Sequence, residues 1–361
     1  MNLDPSETQT LLRDTVREYL EREVSYDRIR ELDREHRWDE ALWREICEQG
    51  WLALPFGEAH GGRGSLVDGG LLVEEFARRA AVIPIAEVVT AGRAIEHFAT
   101  ADVAADLIPA ILAGDRRIVP AVPDACDRTA EIEVRVDADG TLSGEAAFVD
   151  YGQFATDHLV AAQAEAGPAV FLVEAARAGV EAVPLRSIGR TPVARVRYTG
   201  VAAVRLGGSD AYADLVRTGR ALAGVQCLGC IEQALDMTVK YAGLREQFGR
   251  PIGTFQAVQH HCADMAGRVV SARHLVYEAL DAIGRGAASD ARIAIAKASV
   301  SRAVPEVTML AHQIHGGNGV IEENDLYFFT LRGKERSLAW GSVDQCLEVV
   351  ARSVDEPEEW L

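Results

Sequence analysis

The chain has 361 residues, 48% hydrophobic and 25% charged, with a formal net charge of -18. That is the composition of a globular protein of two or three domains. A field of this sign repels nucleic-acid phosphates and anionic membrane surfaces, so both partner classes are excluded.

The N-terminus carries no basic segment followed by an apolar one, so no signal peptide is expected. The first helix is expected from Asp4-Pro5-Ser6-Glu7, with Asp4 as the cap and Pro5 at the first helical position, and with Leu12, Val16 and Leu20 on one face. A second helix is expected from Trp38 to Gln49, stopping at Gly50. Gly57, Gly61, Gly62 and Gly64 mark a turn-rich stretch, and helical patterns return over 67–80 and 86–113.

From Ile118 to Leu206 the pattern changes to short β-branched runs. Ile132 to Val136 is followed by Asp137-Ala-Asp-Gly140, and Ala194 to Tyr198 by Thr199-Gly200. Alternation bounded by Asp and Gly predicts antiparallel strands. The last third returns to helical periodicity in four segments. The first runs from Leu215 to Val239 and the second from Val258 to Ile283. The third, Ile293 to His312, is expected to kink or break at Pro305, and the fourth spans Val343 to Ser353. The expected domains are 1–117 (helical), 118–210 (β) and 211–361 (four-helix bundle). The longest apolar run, Ala221 to Ile231, falls short of the ~18 residues of a membrane span. Six scattered cysteines make no disulfide framework, and a reducing cytoplasm is expected.

Three motifs carry chemistry. Arg245-Glu-Gln-Phe248-Gly249 ends one helix, and Gln256 and Gln259 open the next. A permanently charged fork, an apolar plate and a helix N-terminus suit a pyrophosphate. In Gln313-Ile-His315-Gly316-Gly317-Asn-Gly319 the glycines let backbone approach a ligand. Taken singly, these residues also read as a surface charge and a helix stop. The third motif is Trp51 to Gly62, followed by Glu74-Glu75.

Together the three motifs resemble the acyl-CoA dehydrogenase family over essentially the whole chain. The resemblance implies an α+β fold: an N-terminal helical domain, a middle antiparallel β-sheet domain and a C-terminal four-helix bundle. It implies FAD, an acyl-CoA thioester substrate and an electron-transfer protein as a further partner. Arg245, Phe248 and Gln256 would hold the diphosphate side of a neighbouring subunit's flavin, and Gln313, His315, Gly316 and Gly317 its adenosine side.

The sequence departs from the family where the reaction needs a base. Most members place a Glu late in the chain, and gap-free counting through Lys334 puts that position on Trp340. A minority place it early, at a position that falls on Gly219. Neither side chain accepts a proton, so the catalytic base is unassigned. The family's Thr-Glu-Pro segment appears as Pro123-Asp124-Ala125, and its Trp-Ile-Thr segment as Phe148-Val149-Asp150. An acid near the flavin N5 disfavours an anionic reduced flavin. Bacterial members of steroid breakdown that assemble as heteromers resemble this pattern.

Three readings follow. The first is a base-less subunit in a heteromeric FAD-dependent acyl-CoA dehydrogenase. The second is a self-sufficient flavoenzyme of this fold, with a relocated base or different chemistry on a CoA- or carrier-bound substrate. The third is a non-catalytic binding protein. A second family subunit or a homo-oligomer is the expected partner. Cys227-x-x-Cys230 reads as packing and His260-His261-Cys262 lacks metal-ligand spacing, so no metal is expected. Glu322, Glu323 and Asp325 read as a solvated acidic loop, with displaced-base duty as the alternative, and Trp340 as a pocket plug, with a substrate platform as the alternative.

Overall fold

The computed structural model describes residues 5–123 and 131–354. The chain divides into two compact units. One comprises residues up to 30, 70–81 and those from 223 onward; the other comprises 31–69 and 82–222.

The helices before the sheet are α1 (Glu7–Glu23), α2 (Tyr26–Glu35), α3 (Glu40–Glu48), α4 (Leu66–Arg78), α5 (Ile85–Phe98) and α6 (Ala101–Leu112). The cap of α1 is Ser6, in a reciprocal capping box with Gln9, and not Asp4, which lies outside the described residues. Val16 and Leu20 face inward as their spacing required. Helix α3 is capped by Asp39, and Gly50 follows it at φ 73°. The helical stretch expected over 86–113 breaks at Ala99 and Thr100, both extended. Helix α2 was not anticipated; its sequence is mostly charged, with Ile29 fully buried.

In the 31–69 and 82–222 unit, eight strands form one sheet: β1 (Ile118–Ala121), β2 (Arg135–Val136), β3 (Leu142–Asp150), β4 (Asp157–Ala164), β5 (Gly167–Glu174), β6 (Val180–Leu185), β7 (Val193–Val201) and β8 (Val204–Gly207). The order is β6-β7-β3-β2-β4-β5-β8, with β1 beside β4. Most pairs are antiparallel, but β1 and β2 each run parallel to β4. The chain returns to β4 only after passing through β3, which supplies the long connection a parallel pair needs. In β7, Ala194, Val196 and Tyr198 are buried and Arg195 and Arg197 exposed, the alternation the sequence predicts. Helix α5 is buried along most of its length and packs on β1 and α6.

The C-terminal helices are α7 (Ser209–Leu244), α8 (Gln256–Gly284), α9 (Asp290–His315), α10 (Leu326–Leu338) and α11 (Val343–Val354). Two expectations are corrected. Pro305 does not interrupt α9. A helix-internal proline costs about 3 kcal/mol, and here α8, α10 and α11 all pack against α9 and outweigh it. The count of four segments is also short by one: the segment expected over Val343–Ser353 is the single helix α11, and α10 precedes it unanticipated. Helix α10 carries Gly333 mid-helix, where a Cβ would stand 3.1 Å from Val304 and 3.4 Å from Cys230, so the glycine marks close packing. Cys227 and Cys230 are buried beside α10, and desolvation pushes their thiols up to about 11 and about 12. They pack rather than react.

An ion network ties α1, α4, α7 and α8 together. Glu74 is fully buried; Arg273 donates to its two oxygens at 2.7 and 3.1 Å, and Tyr277 donates its hydroxyl. The same Arg273 nitrogen reaches Glu232 at 2.7 Å. Arg78 meets Asp236 at 2.8 Å and Glu232 at 3.4 Å, while Arg17 forks onto Glu75 at 2.6 and 2.8 Å. Burial pushes Glu74 up to about 7, against the pull of Arg273. Glu232 moves the other way. Burial raises it, but the hydrogen bond with Glu74 and the facing guanidinium groups outweigh burial.

The folded state therefore holds the Glu74 proton more tightly than the unfolded chain, whose carboxyl has the ordinary value of 4.5. That contribution is complete below the unfolded value and fades as pH rises through about 7. In thermal unfolding between pH 5 and 8.5, the native chain should lose stability relative to Glu74→Gln as pH rises. A gap independent of pH would refute the assignment.

Candidate functional site

Helix α7 ends at Leu244, and the Arg245 amide still bonds the Tyr241 carbonyl at 2.8 Å. A two-residue turn then joins β9 (Glu246–Gln247) to β10 (Arg250–Pro251). Phe248 and Gly249 both have positive φ, 54° and 79°, as a type I′ hairpin turn demands. Phenylalanine is uncommon there, and Phe248 is 93% exposed. It stands edge-on to Phe255, over which Arg250 lies at 4.3 Å.

Gln256 is the exposed first residue of α8, a helix whose N-terminus has no side-chain cap. Gln259 is committed elsewhere, donating its amide to the Gly253 carbonyl at 3.0 Å. The Arg245 side chain is exposed and makes no ion pair among the described residues. An unpaired cation, an exposed ring and an uncapped helix start thus share one edge. The donor chemistry fits the diphosphate side of a flavin nucleotide.

The second motif ends α9. Gln313, Gly316 and Gly317 are exposed, Gly316 has φ 58° with ψ -136°, and a Cβ on either glycine would meet open space. His315 instead turns inward. It is 5% exposed, stacks on Tyr241 at 4.3 Å and sits 3.3 Å from the Asn324 amide through Nδ1. Its Nε2 is buried with no hydrogen-bond partner among the described residues, and burial pushes its pKa down. His312 spends both ring nitrogens, on the Gly319 carbonyl and the Thr330 hydroxyl, each at 2.8 Å.

Tyr241 joins the two motifs. It lies one helical turn before Arg245 and reaches the His315 carbonyl at 3.5 Å. Asn318 donates to its hydroxyl at 3.4 Å. The sequence reading missed this residue, although its i,i+4 spacing to Arg245 was a usable signal.

The two base positions lie in different units. Trp340 is half-buried at φ 60° between α10 and α11, and Gly219 is buried inside α7. The acidic loop is not fully solvated. Glu322 and Glu323 are exposed, but Asp325 is half-buried against Arg30, which also donates to the carbonyls of Glu322 and Glu323. Asp325 opens α10 and is drawn inward with it.

In the sheet unit, Pro123 and Phe148 line one cavity of about 140 Å³ with Glu131, Glu133 and Glu145. Asp124 and Ala125 lie outside the described residues. Phe148 has φ 55° at an irregularity in the β3–β7 register, and Asp150 is half-buried. Among the described residues no cluster is arranged to hold a metal ion, and no helix is long and apolar enough to cross a membrane.

Comparison with known proteins bears on this geometry. The model of the acyl-CoA dehydrogenase N-terminal domain matches residues 6–115, and that of the C-terminal domain matches 207–354. Acyl-CoA dehydrogenase FadE27 of Mycobacterium tuberculosis is 30% identical over 346 residues, 91% of each chain. The ChsE4-ChsE5 complex from Mycobacterium tuberculosis aligns at TM-score 0.92 with 28% identity over 99% of each chain. The Tcur3481-Tcur3483 steroid ACAD aligns at 0.91 with 30% identity, over 98% of this chain and 99% of that one. Structures of this fold are known with FAD or FADH2 bound.

Arg30→Ala should cost about 1.5–3 kcal/mol, the range for hydrogen bonds to charged groups. Amide exchange over 322–326 should accelerate with it. Unchanged exchange in that segment would remove Arg30 as the loop's anchor.

Proposed function

The chain belongs to the acyl-CoA dehydrogenase family, and on that footing we propose that it is the base-less subunit of a heteromeric, FAD-dependent acyl-CoA dehydrogenase. The observation that carries this reading is a contrast. The bundle edge of Arg245, Phe248 and Gln256 is free and presented, while position 340 holds a tryptophan with no titratable group.

In this reading Arg245 pairs with the diphosphate of a neighbour's FAD, Phe248 covers it and Gln256 bonds to it. Gln313, Gly316 and Gly317 lie along the adenosine side, with His315 held behind them by Tyr241. Bound flavin supplies the hydride acceptor for α,β-dehydrogenation of an acyl-CoA thioester; the partner supplies the base. The exposed Leu244, Phe248, Met309 and Val320, each more than 70% accessible, favour burial against another subunit. The carboxylates lining the sheet cavity would repel the charge of a reduced flavin. Likeness to a two-component steroid ACAD supports a bulky, steroid-type acyl group.

Two outcomes test the proposal. Expressed alone, the chain should show no acyl-CoA dehydrogenation in a dye-reduction assay, since a missing general base forfeits about 10²–10⁴-fold. Turnover should appear on co-expression with a family member that retains the Glu. Robust activity of the isolated chain would overturn the base-less assignment. In the assembled complex, Arg245→Ala should weaken FAD retention by about 1.5–3 kcal/mol, the worth of a charge-assisted contact. Flavin content after dialysis reads this directly, and full retention would contradict the role given to Arg245.

A further inference from the structure

Of the 37 basic residues, Lys240, Lys297 and Lys334 are the lysines. Lys297 is the buried one, 1% exposed within α9. Its Nζ donates to three oxygens: the Ser301 hydroxyl at 2.9 Å, the Ser337 carbonyl at 2.9 Å and the Gly341 carbonyl at 3.1 Å. Three acceptors around one nitrogen match an ammonium, whereas a guanidinium spreads its donors over a planar fork. In a chain whose cations are otherwise almost all arginine, geometry accounts for the lysine here.

The two carbonyls bracket Leu338, the last residue of α10, and the turn of Ala339 and Trp340 that leads to α11. That turn is costly. Trp340 has φ 60° and Gly341 φ 123°, and a bulky residue stays in the left-handed region only where its surroundings over-determine it. Flanking bonds fix each end. The Ala339 amide bonds the Glu335 carbonyl at 3.1 Å, and Ser342 and Gln345 cap α11 reciprocally at 2.8 and 3.3 Å. Neither of these reaches α9; Lys297 does.

We infer that Lys297 is the positioning residue of this turn: its ammonium clamps the carbonyls on both sides of Trp340 to α9 and so fixes where the side chain at position 340 is presented. The functional weight rests on reading position 340 as the family's base position, which makes Trp340 a fixed wall there and not a mobile flap. The clamp itself rests on the contacts alone.

The test compares the full native chain with Lys297→Met and Ser301→Ala. Two local readouts need no turnover: amide exchange over 338–342, and acrylamide quenching of Trp340 emission, isolated by subtracting Trp340→Phe. Lys297→Met should speed exchange in the turn by about tenfold or more, as loss of charge-assisted bonds requires. It should also raise quenching, with α7 and α8 unchanged. Ser301→Ala removes the acceptor on α9 but keeps both turn contacts, so both readouts should stay native. If Lys297→Met does not fold, Lys297→Gln is read by the same criteria. Native exchange in the turn of the Lys297 variant would overturn the inference. Equal loosening by Ser301→Ala, or collapse of both Lys297 variants, would do so too, because each assigns Lys297 to general stability. A chain that proved active alone would overturn the base-less reading and leave these outcomes to decide the clamp.

Discussion

The ion network around Glu74 is the constraint on which the bundle unit depends. Four carboxylates and three guanidinium groups from α1, α4, α7 and α8 meet there, with Glu74 wholly excluded from solvent. Such a cluster is a weak source of net stability, because desolvation offsets the attraction, but breaking it is expensive. Its value is geometric. Arg273 reaches Glu74 and Glu232 through one nitrogen, which fixes α8 against α4 and α7 at once. Gly229 makes room for it: a Cβ there would stand 2.5 Å from the Glu74 carbonyl oxygen. Because Arg245 directly follows the end of α7 and α8 starts at Gln256, the register set in the core carries through to the presented edge.

Within each unit the molecule accepts unfavourable local geometry at several positions. Among the described residues seven non-glycine residues have positive φ, and three of them, Phe148, Phe248 and Trp340, occupy positions marked by the family resemblance. Strained backbone concentrates where presentation of a side chain matters more than local energy. Phe248 is the plainest case, an aromatic ring in a left-handed turn and almost fully exposed. Lys297 and Tyr241 play the complementary part. Each sits behind a presented residue and ties its segment to a neighbouring helix.

The Pro305 and Asp325 corrections share a cause. Proline is a helix breaker in isolation, yet α9 continues because its neighbours bury it on several sides. Asp325 read as solvated because its sequence neighbours are acidic, but Arg30, almost 300 residues away, draws it inward. Local propensity had no access to either partner.

The elements written in short-range chemistry were legible from the amino-acid order alone. These include the inward face of α1, the Gly50 stop after α3, the alternation of β7 and the outlines of the Arg245 and His315 motifs. Their signals lie within a few residues: a period of two or 3.6, a glycine where φ must be positive. Tertiary structure decided what depends on partners distant in the chain. It made helices of the charged α2 and glycine-bearing α10, closed β1 and β2 onto β4 in parallel, and turned His315 inward onto Tyr241. It also brought the two motifs, some sixty residues apart, into contact through that stack. Burial and charge pairing act through space, so no window of sequence contains both of the groups that fix each of these features.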